Sequence, residues 1–218
     1  MTSEIRKQDV VDQLIWDNSV NANDVFVNVQ DGNVQLKGEV STYSAKLAAA
    51  EDAYKVAGVR NVENLIEVKL PETTVLPNDD EITSNINKML LWNSNIVSSD
   101  IKVITENRMV TLQGKVDTYW EKYQAENIAN SANGVLGVIN LLTVELSTSK
   151  VDEDIRNDIV SAFNRSVLIQ EGEIDVSVNN GIVTLQGSVP NYAVKREATN
   201  VAMYTAGVLE VIDDLVIR

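Results

Sequence analysis

The chain repeats one pattern three times, and that repetition limits the folds open to it more than any other feature. When Gly38, Gly114 and Gly187 are superimposed, tyrosines follow five residues on (Tyr43, Tyr119, Tyr192), lysines eight on (Lys46, Lys122, Lys195) and glycines twenty on (Gly58, Gly134, Gly207). The anchoring glycines stand 76 and 73 residues apart. That is too far for a solenoid repeat of roughly 20–50 residues and far enough for a small domain each. Three like domains favour a binding or structural role, because catalysis rarely needs three copies of one site.

Each unit opens with apolar residues four apart: Val10 and Leu14, then Ile82, Ile86 and Leu90, then Ile155, Ile159 and Phe163. This spacing predicts a helix with one buried stripe. Strict alternation follows (Val25, Val27, Val29; Ile101, Val103; Ile174, Val176, Val178) and resumes past a short turn as Val34-Leu36, Val110-Leu112 and Val183-Leu185. The pattern is that of a hairpin with one face inward. Arg108 stands where the other two turns have Gly32 and Gly181, so the second unit must adopt a costlier conformation or another turn.

Thr42, Thr118 and Asn191 sit where a helix N-cap belongs, and Thr118 with Glu121 forms a capping box. The second helix carries small residues four apart (Ala49 and Ala53, Ala125 and Ala129, Ala198 and Ala202) that let it lie close to a sheet. It is expected to stop near Gly58, Gly134 and Gly207, and a last strand follows, centred on Asn64, Asn140 and Asp213. Those three polar residues are in phase with the inward face, and each is expected to hydrogen-bond a nearby loop.

The predicted class is therefore α+β, with three tandem αββαβ sandwich domains, each placing two helices on one face of a three-stranded sheet. The domains span 1–70, 78–147 and 151–218. The linkers between them are short, Lys69–Asn78 and Leu146–Val151. Units of about 70 residues bury only roughly 60% of their chain surface, so they are expected to lean on one another.

The net charge is −14. It is spread evenly, with 7 basic against 11 acidic residues in 1–70, 5 against 10 in 71–147 and 6 against 11 in 148–218. Nucleic-acid binding works through phosphate neutralisation by Lys and Arg, so this distribution argues against it. The same charge repels an anionic bilayer, and no 18-residue apolar stretch predicts a transmembrane segment. The opening MTSEIRKQDVVDQ lacks the features of a secretory signal, which predicts a cytoplasmic protein. The periplasm is the alternative if Met1 was added to a mature secreted form. With no histidine and no cysteine, imidazole and thiolate catalysis and their zinc sites are excluded. No enzyme activity, cofactor or metal is expected.

The full pattern runs Ile-x-Val-x-Val, a glycine turn, Val-x-Leu-x-Gly-x-Val, a helix with Lys and Ala, then Gly-Val and a last alternating strand. It is carried most completely by Ile174–Val178, Gly181, Val183–Val189 and Gly207–Val208. It resembles the BON domain (bacterial osmotically inducible protein Y and nodulation), in three in-register copies over about 200 residues. The resemblance implies a mixed three-stranded sheet and a non-enzymatic bacterial domain found in osmotic-stress and envelope proteins, linked to phospholipid surfaces, potassium sensing or binding of other proteins. This chain departs from the usual family members in having three domains, no evident signal peptide and no LysM module.

Two groups of residues are candidates for contact. Trp16 and Trp92 lie two residues past Leu14 and Leu90, a rotation of about 200° that turns each ring away from the buried stripe if the helix continues. With Trp120 they form the expected lipid- or partner-contact set. The alternative is that the helix ends and each ring folds onto its own or a neighbouring unit. On the uncovered sheet face, unit one is mostly polar, whereas unit two carries Ile104, Ile139 and Leu141. These three are expected to pack against a neighbouring repeat or a second chain.

The Tyr-x-x-Lys set is read as a tyrosine closing the sandwich edge beside a snorkelling lysine, with a ligand-binding face as the other possibility. The acidic runs Asp79-Asp80-Glu81 and Asp152-Glu153-Asp154 are read as complements to a helix dipole. The leading expectation is a stress-associated binding protein that contacts a phospholipid surface or protein partner. A potassium-responsive protein and an oligomeric structural spacer are the rivals.

Overall fold

The computed structural model describes residues 6–71, 75–146, 150–170 and 172–218. In unit one, helix α1 (Lys7–Trp16) leads into strands β1 (Val25–Gln30) and β2 (Asn33–Val40), helix α2 (Tyr43–Lys55) and strand β3 (Asn61–Val68). Unit two repeats this as α3 (Asp79–Trp92), β4 (Ile101–Glu106), β5 (Met109–Val116), α4 (Tyr119–Ser131) and β6 (Gly137–Val144). Unit three repeats it again as α5 (Asp152–Phe163), β7 (Ile174–Asn179), β8 (Ile182–Val189), α6 (Tyr192–Tyr204) and β9 (Glu210–Ile217).

In every sheet the second strand is central. It pairs antiparallel with its hairpin partner and parallel with the last strand, which the second helix delivers by a crossover. The expected mixed αββαβ sandwich is what forms. The helical stripe residues and the paired alanines are buried in each unit, where the missing side-chain bulk lets the second helix settle on the sheet.

The glycines that align the repeats have a steric cause. Gly38, Gly114 and Gly187 sit at φ of 118°, 118° and 143°, and a Cβ on any of them would overlap the backbone carbonyl oxygen of Asp24, Asp100 or Glu173. The hairpin closes at that point only without a side chain. All three hairpin turns have two left-handed central residues, including Asn107 and Arg108 at φ of 50° and 64°. Arg108 therefore takes the costlier conformation.

That conformation is held from outside the hairpin. Asp79 accepts from the Asn107 and Arg108 amides at 2.8 and 3.0 Å, and the Arg108 guanidinium donates to the Pro77 carbonyl at 3.0 Å. Asp152 does the same for Asn180 and Gly181 at 2.7 and 2.9 Å. The first acid of each run thus clamps a hairpin, beyond complementing a dipole.

The N-caps are as expected: Thr42, Thr118 and Asn191 accept from Ala45, Glu121 and Val194. The second helices end at Lys55, Ser131 and Tyr204, three residues before Gly58, Gly134 and Gly207, which sit at positive φ in the following turns. The polar residues of the last strands bond a helix where a loop was expected. Asn64 and Asn140 donate to the carbonyls of Lys46 and Lys122 at 2.6 and 2.9 Å. Asp213 cannot donate, and the Lys195 ammonium bridges to it at 3.2 Å instead.

The three units close into a ring. Helices α2, α4 and α6 touch one another pairwise, and the shared tyrosine at the start of each reaches into the next unit. Tyr43 packs on the core of unit two and Tyr119 on that of unit three, while Tyr192 stacks on Tyr54 of unit one with centroids 4.7 Å apart. Burial pushes all three phenols above the ordinary tyrosine range. These tyrosines close seams between units, where sequence reasoning had each closing the edge of its own sandwich.

Candidate functional site

The two largest strongly exposed apolar side chains, Trp16 and Trp92, lie where the first helices of units one and two end. Trp16 and Trp92 are the last helical residues of α1 and α3, and the extended caps Asp17 and Asn93 stop the helix there. The rings do not fold back: Trp16 is 77% and Trp92 81% exposed. Ile15 and Leu91 beside them are exposed as well. In unit three Asn164 and Arg165 occupy these positions, and the exposed apolar pair moves three residues along, to Val167 and Leu168.

Each tip is tethered rather than loose. Val20, Ile96 and Ile169, equivalent by register, are buried just beyond the tips. The Val20 and Ile96 amides donate to the cap carbonyls of Asp17 and Asn93 at 3.0 and 3.2 Å. A short 3-10 turn (Ala22–Asp24, Ser98–Asp100) then leads into the first strand of units one and two. The apolar pairs of units one and two thus stand on helix ends that an anchored loop follows, and no basic residue lies in the last turn of α1, α3 or α5.

Beneath the first tip lies the one carboxylate that is fully buried among the described residues. Asp52 is 0% exposed, one oxygen accepts from Lys55 at 2.8 Å and the other has no partner. Burial raises its pKa, with Lys55 opposing and Asp17 adding to the rise. Asp17 itself is held below the ordinary range by hydrogen bonding from Ser19, whose amide donates to it at 2.8 Å. Units two and three have Ile128 and Val201 where unit one has Asp52.

The other sequence candidates separate from this set. Trp120 is half-buried in the seam between units two and three, its ring 6.2 Å from that of Tyr204 and its Nε1 buried without a partner. It faces a neighbouring unit, so the structure does not bring it together with Trp16 and Trp92. Ile139 and Leu141 remain 47% and 54% exposed, and Ile104 is half-buried. The repeats do not meet through this patch. They meet through their second helices, on the opposite side of each sheet. The outer face of unit one is less polar than its sequence suggested, because Phe26 and Leu65 are exposed on either side of Lys37. No helix among the described residues is long and apolar enough to cross a membrane.

Comparison with known proteins identifies the pattern. The family model of the BON domain matches residues 2–69, 78–145 and 151–218. Over 143 residues the chain is 28% identical to osmotically-inducible protein Y of Escherichia coli (strain K12), covering 63% of this chain and 71% of that one. It is 34% identical over 124 residues to the 21 kDa hemolysin of Actinobacillus pleuropneumoniae, covering 55% and 60%. It is 31% identical over 113 residues to the outer membrane lipoprotein DolP of Haemophilus influenzae, covering 51% and 58%. The chain therefore spans less than two thirds of the latter two relatives. A structural protein of the type III secretion system of Chlamydia trachomatis, CdsD, aligns over 97% of this chain and 91% of its own, at 15% identity and a TM-score of 0.28, too distant to carry an argument.

Proposed function

Because the chain belongs to the BON domain family, with three copies along its length, we propose that it is a non-enzymatic, stress-associated envelope protein that docks on phospholipid surfaces through its helix tips. The names of two relatives, an osmotically-inducible protein and an outer membrane lipoprotein, support the stress and envelope parts of this reading. They favour the periplasmic alternative over the cytoplasmic expectation. The absence of histidine and cysteine from the chain supports a binding role over catalysis.

The observation that carries the lipid reading is the pair of exposed tryptophans on equivalent, anchored tips. Burying one tryptophan in an interface gains roughly 2 kcal/mol, so two gain about 4 kcal/mol, on the order of a thousandfold in partitioning. Contact through several weak tips adds as avidity. The net charge of −14 opposes approach to anionic lipid, so insertion of rings must supply the attraction, and salt should strengthen the contact by screening the repulsion.

Co-sedimentation with phosphatidylethanolamine–phosphatidylglycerol vesicles tests this. Wild-type protein is expected in the pellet, more so at higher salt, and Trp16→Ser with Trp92→Ser is expected in the supernatant. Equal pelleting of both proteins, or of neither, would retire the lipid reading. A melting temperature that rises in KCl and not in equal NaCl would then favour the potassium-responsive rival.

A further inference from the structure

The three seams of the ring are equivalent in register and unequal in filling. At the seam between units two and three, Trp120 reaches across to Tyr204. One repeat further on, the corresponding residues at the seam between units three and one are Ala193 and Lys55. The indole is missing there, and a cavity of about 400 Å³ takes its place. This lies within the range of roughly 300–1,000 Å³ usual for small-molecule sites.

The walls describe the ligand. Tyr54 and Tyr192, stacked at 4.7 Å with planes 14° apart, form one side, and Val56, Val59 and Ala193 add apolar surface. Two cations border the space, Lys55 and Arg196, and neither is free: Lys55 pairs with Asp52 at 2.8 Å and Arg196 with Glu51. One wall made of a stacked tyrosine pair, beside apolar surface and paired charges, suits a planar, uncharged ring system. Tyr54 is specific to this seam, since Asn130 and Met203 hold its place in the other units.

We infer that the seam between units three and one is a binding site for a small, neutral, planar aromatic molecule of indole size, which occupies the place that Trp120 fills at the preceding seam. No peptide linker joins these two units directly, so a ligand lying between them would hold the ring closed. This site is separate from the helix tips and does not depend on the lipid reading.

Calorimetric titration of the full chain with indole tests the inference. One saturable site is expected, and Ala193→Trp, which supplies the missing ring, is expected to weaken uptake at least tenfold while leaving the melting temperature at or above that of wild type. Proton NMR needs no variant: indole is expected to shift the ring signals of Tyr54 and Tyr192 and to leave those of Tyr43 and Tyr119 in place. The inference is overturned if wild type takes up no indole, if a folded Ala193→Trp binds it as wild type does, or if the shifts fall on other rings.

Discussion

Trp92 and Trp120 belong to the same unit and have opposite surroundings. Trp92 ends α3 with its ring 81% exposed, whereas Trp120, in the first turn of α4, is half-buried against Tyr204 of the next unit. The same side chain thus serves two kinds of region: seams, where aromatic rings are covered by another repeat, and tips, where the rings stand largely uncovered among the described residues. Seam rings contribute to the stability of the ring. Tip rings lose no intramolecular contact when exposed, so they are available to an external surface.

Substitutions can break or sharpen this contrast, beginning with a control that breaks a unit itself. Gly114→Ala puts a methyl group into the Asp100 carbonyl at a left-handed φ, and is expected to cost roughly 4 kcal/mol or more. Thermal melting checks it, and a loss below 1 kcal/mol would mean that the close approach is not rigid. Tyr119→Ala removes a seam ring that is half-buried on the core of unit three, and is expected to cost about 2 kcal/mol. Urea unfolding at 25 °C measures this.

Asp52 lies between the two kinds of region, near Asp17 at the foot of the first tip and bonded to Lys55 beside the seam cavity. Its carboxyl binds a proton more tightly in the folded chain than in the unfolded one. That binding contributes stability that is complete below the usual aspartate range and is lost as pH rises through the elevated folded value. Asp52→Asn is therefore expected to melt a few degrees higher than wild type at pH 7, and to show a flatter dependence of melting temperature on pH across the acidic range. Parallel melting curves for the two proteins would contradict the assignment. The smallest effect is expected at the tip, where Trp92→Ser should change stability by less than about 0.5 kcal/mol.

Legibility from sequence follows the same division. Within a unit, period-two strands, four-residue helical stripes and caps such as Thr118 with Glu121 are local, and each was readable from neighbours in the chain. The outward turn of Trp16 and Trp92 was readable too, because it depends on helical rotation alone. The seams were hidden because each tyrosine finds its partner in another repeat. The available signal was divergence on a shared helix face: Tyr54, Asn130 and Met203 occupy one register position, and Lys55, Ser131 and Tyr204 the next. Such differences mark where otherwise equivalent units meet unequal neighbours. The acidic runs at Asp79 and Asp152 were visible in register, but their role as clamps was not, since the amides they hold lie 28 and 29 residues away.

Tryptophan emission in a Trp120→Phe background tests the central claim most directly, because only the two tip rings then report. Adding phosphatidylglycerol-containing vesicles is expected to shift emission to the blue, and brominated acyl chains are expected to quench it, with no change in melting temperature caused by the background substitution beyond that of a seam ring. Emission that stays at the position of solvent-exposed indole, at every lipid concentration and salt, would show that the tips do not enter a membrane surface.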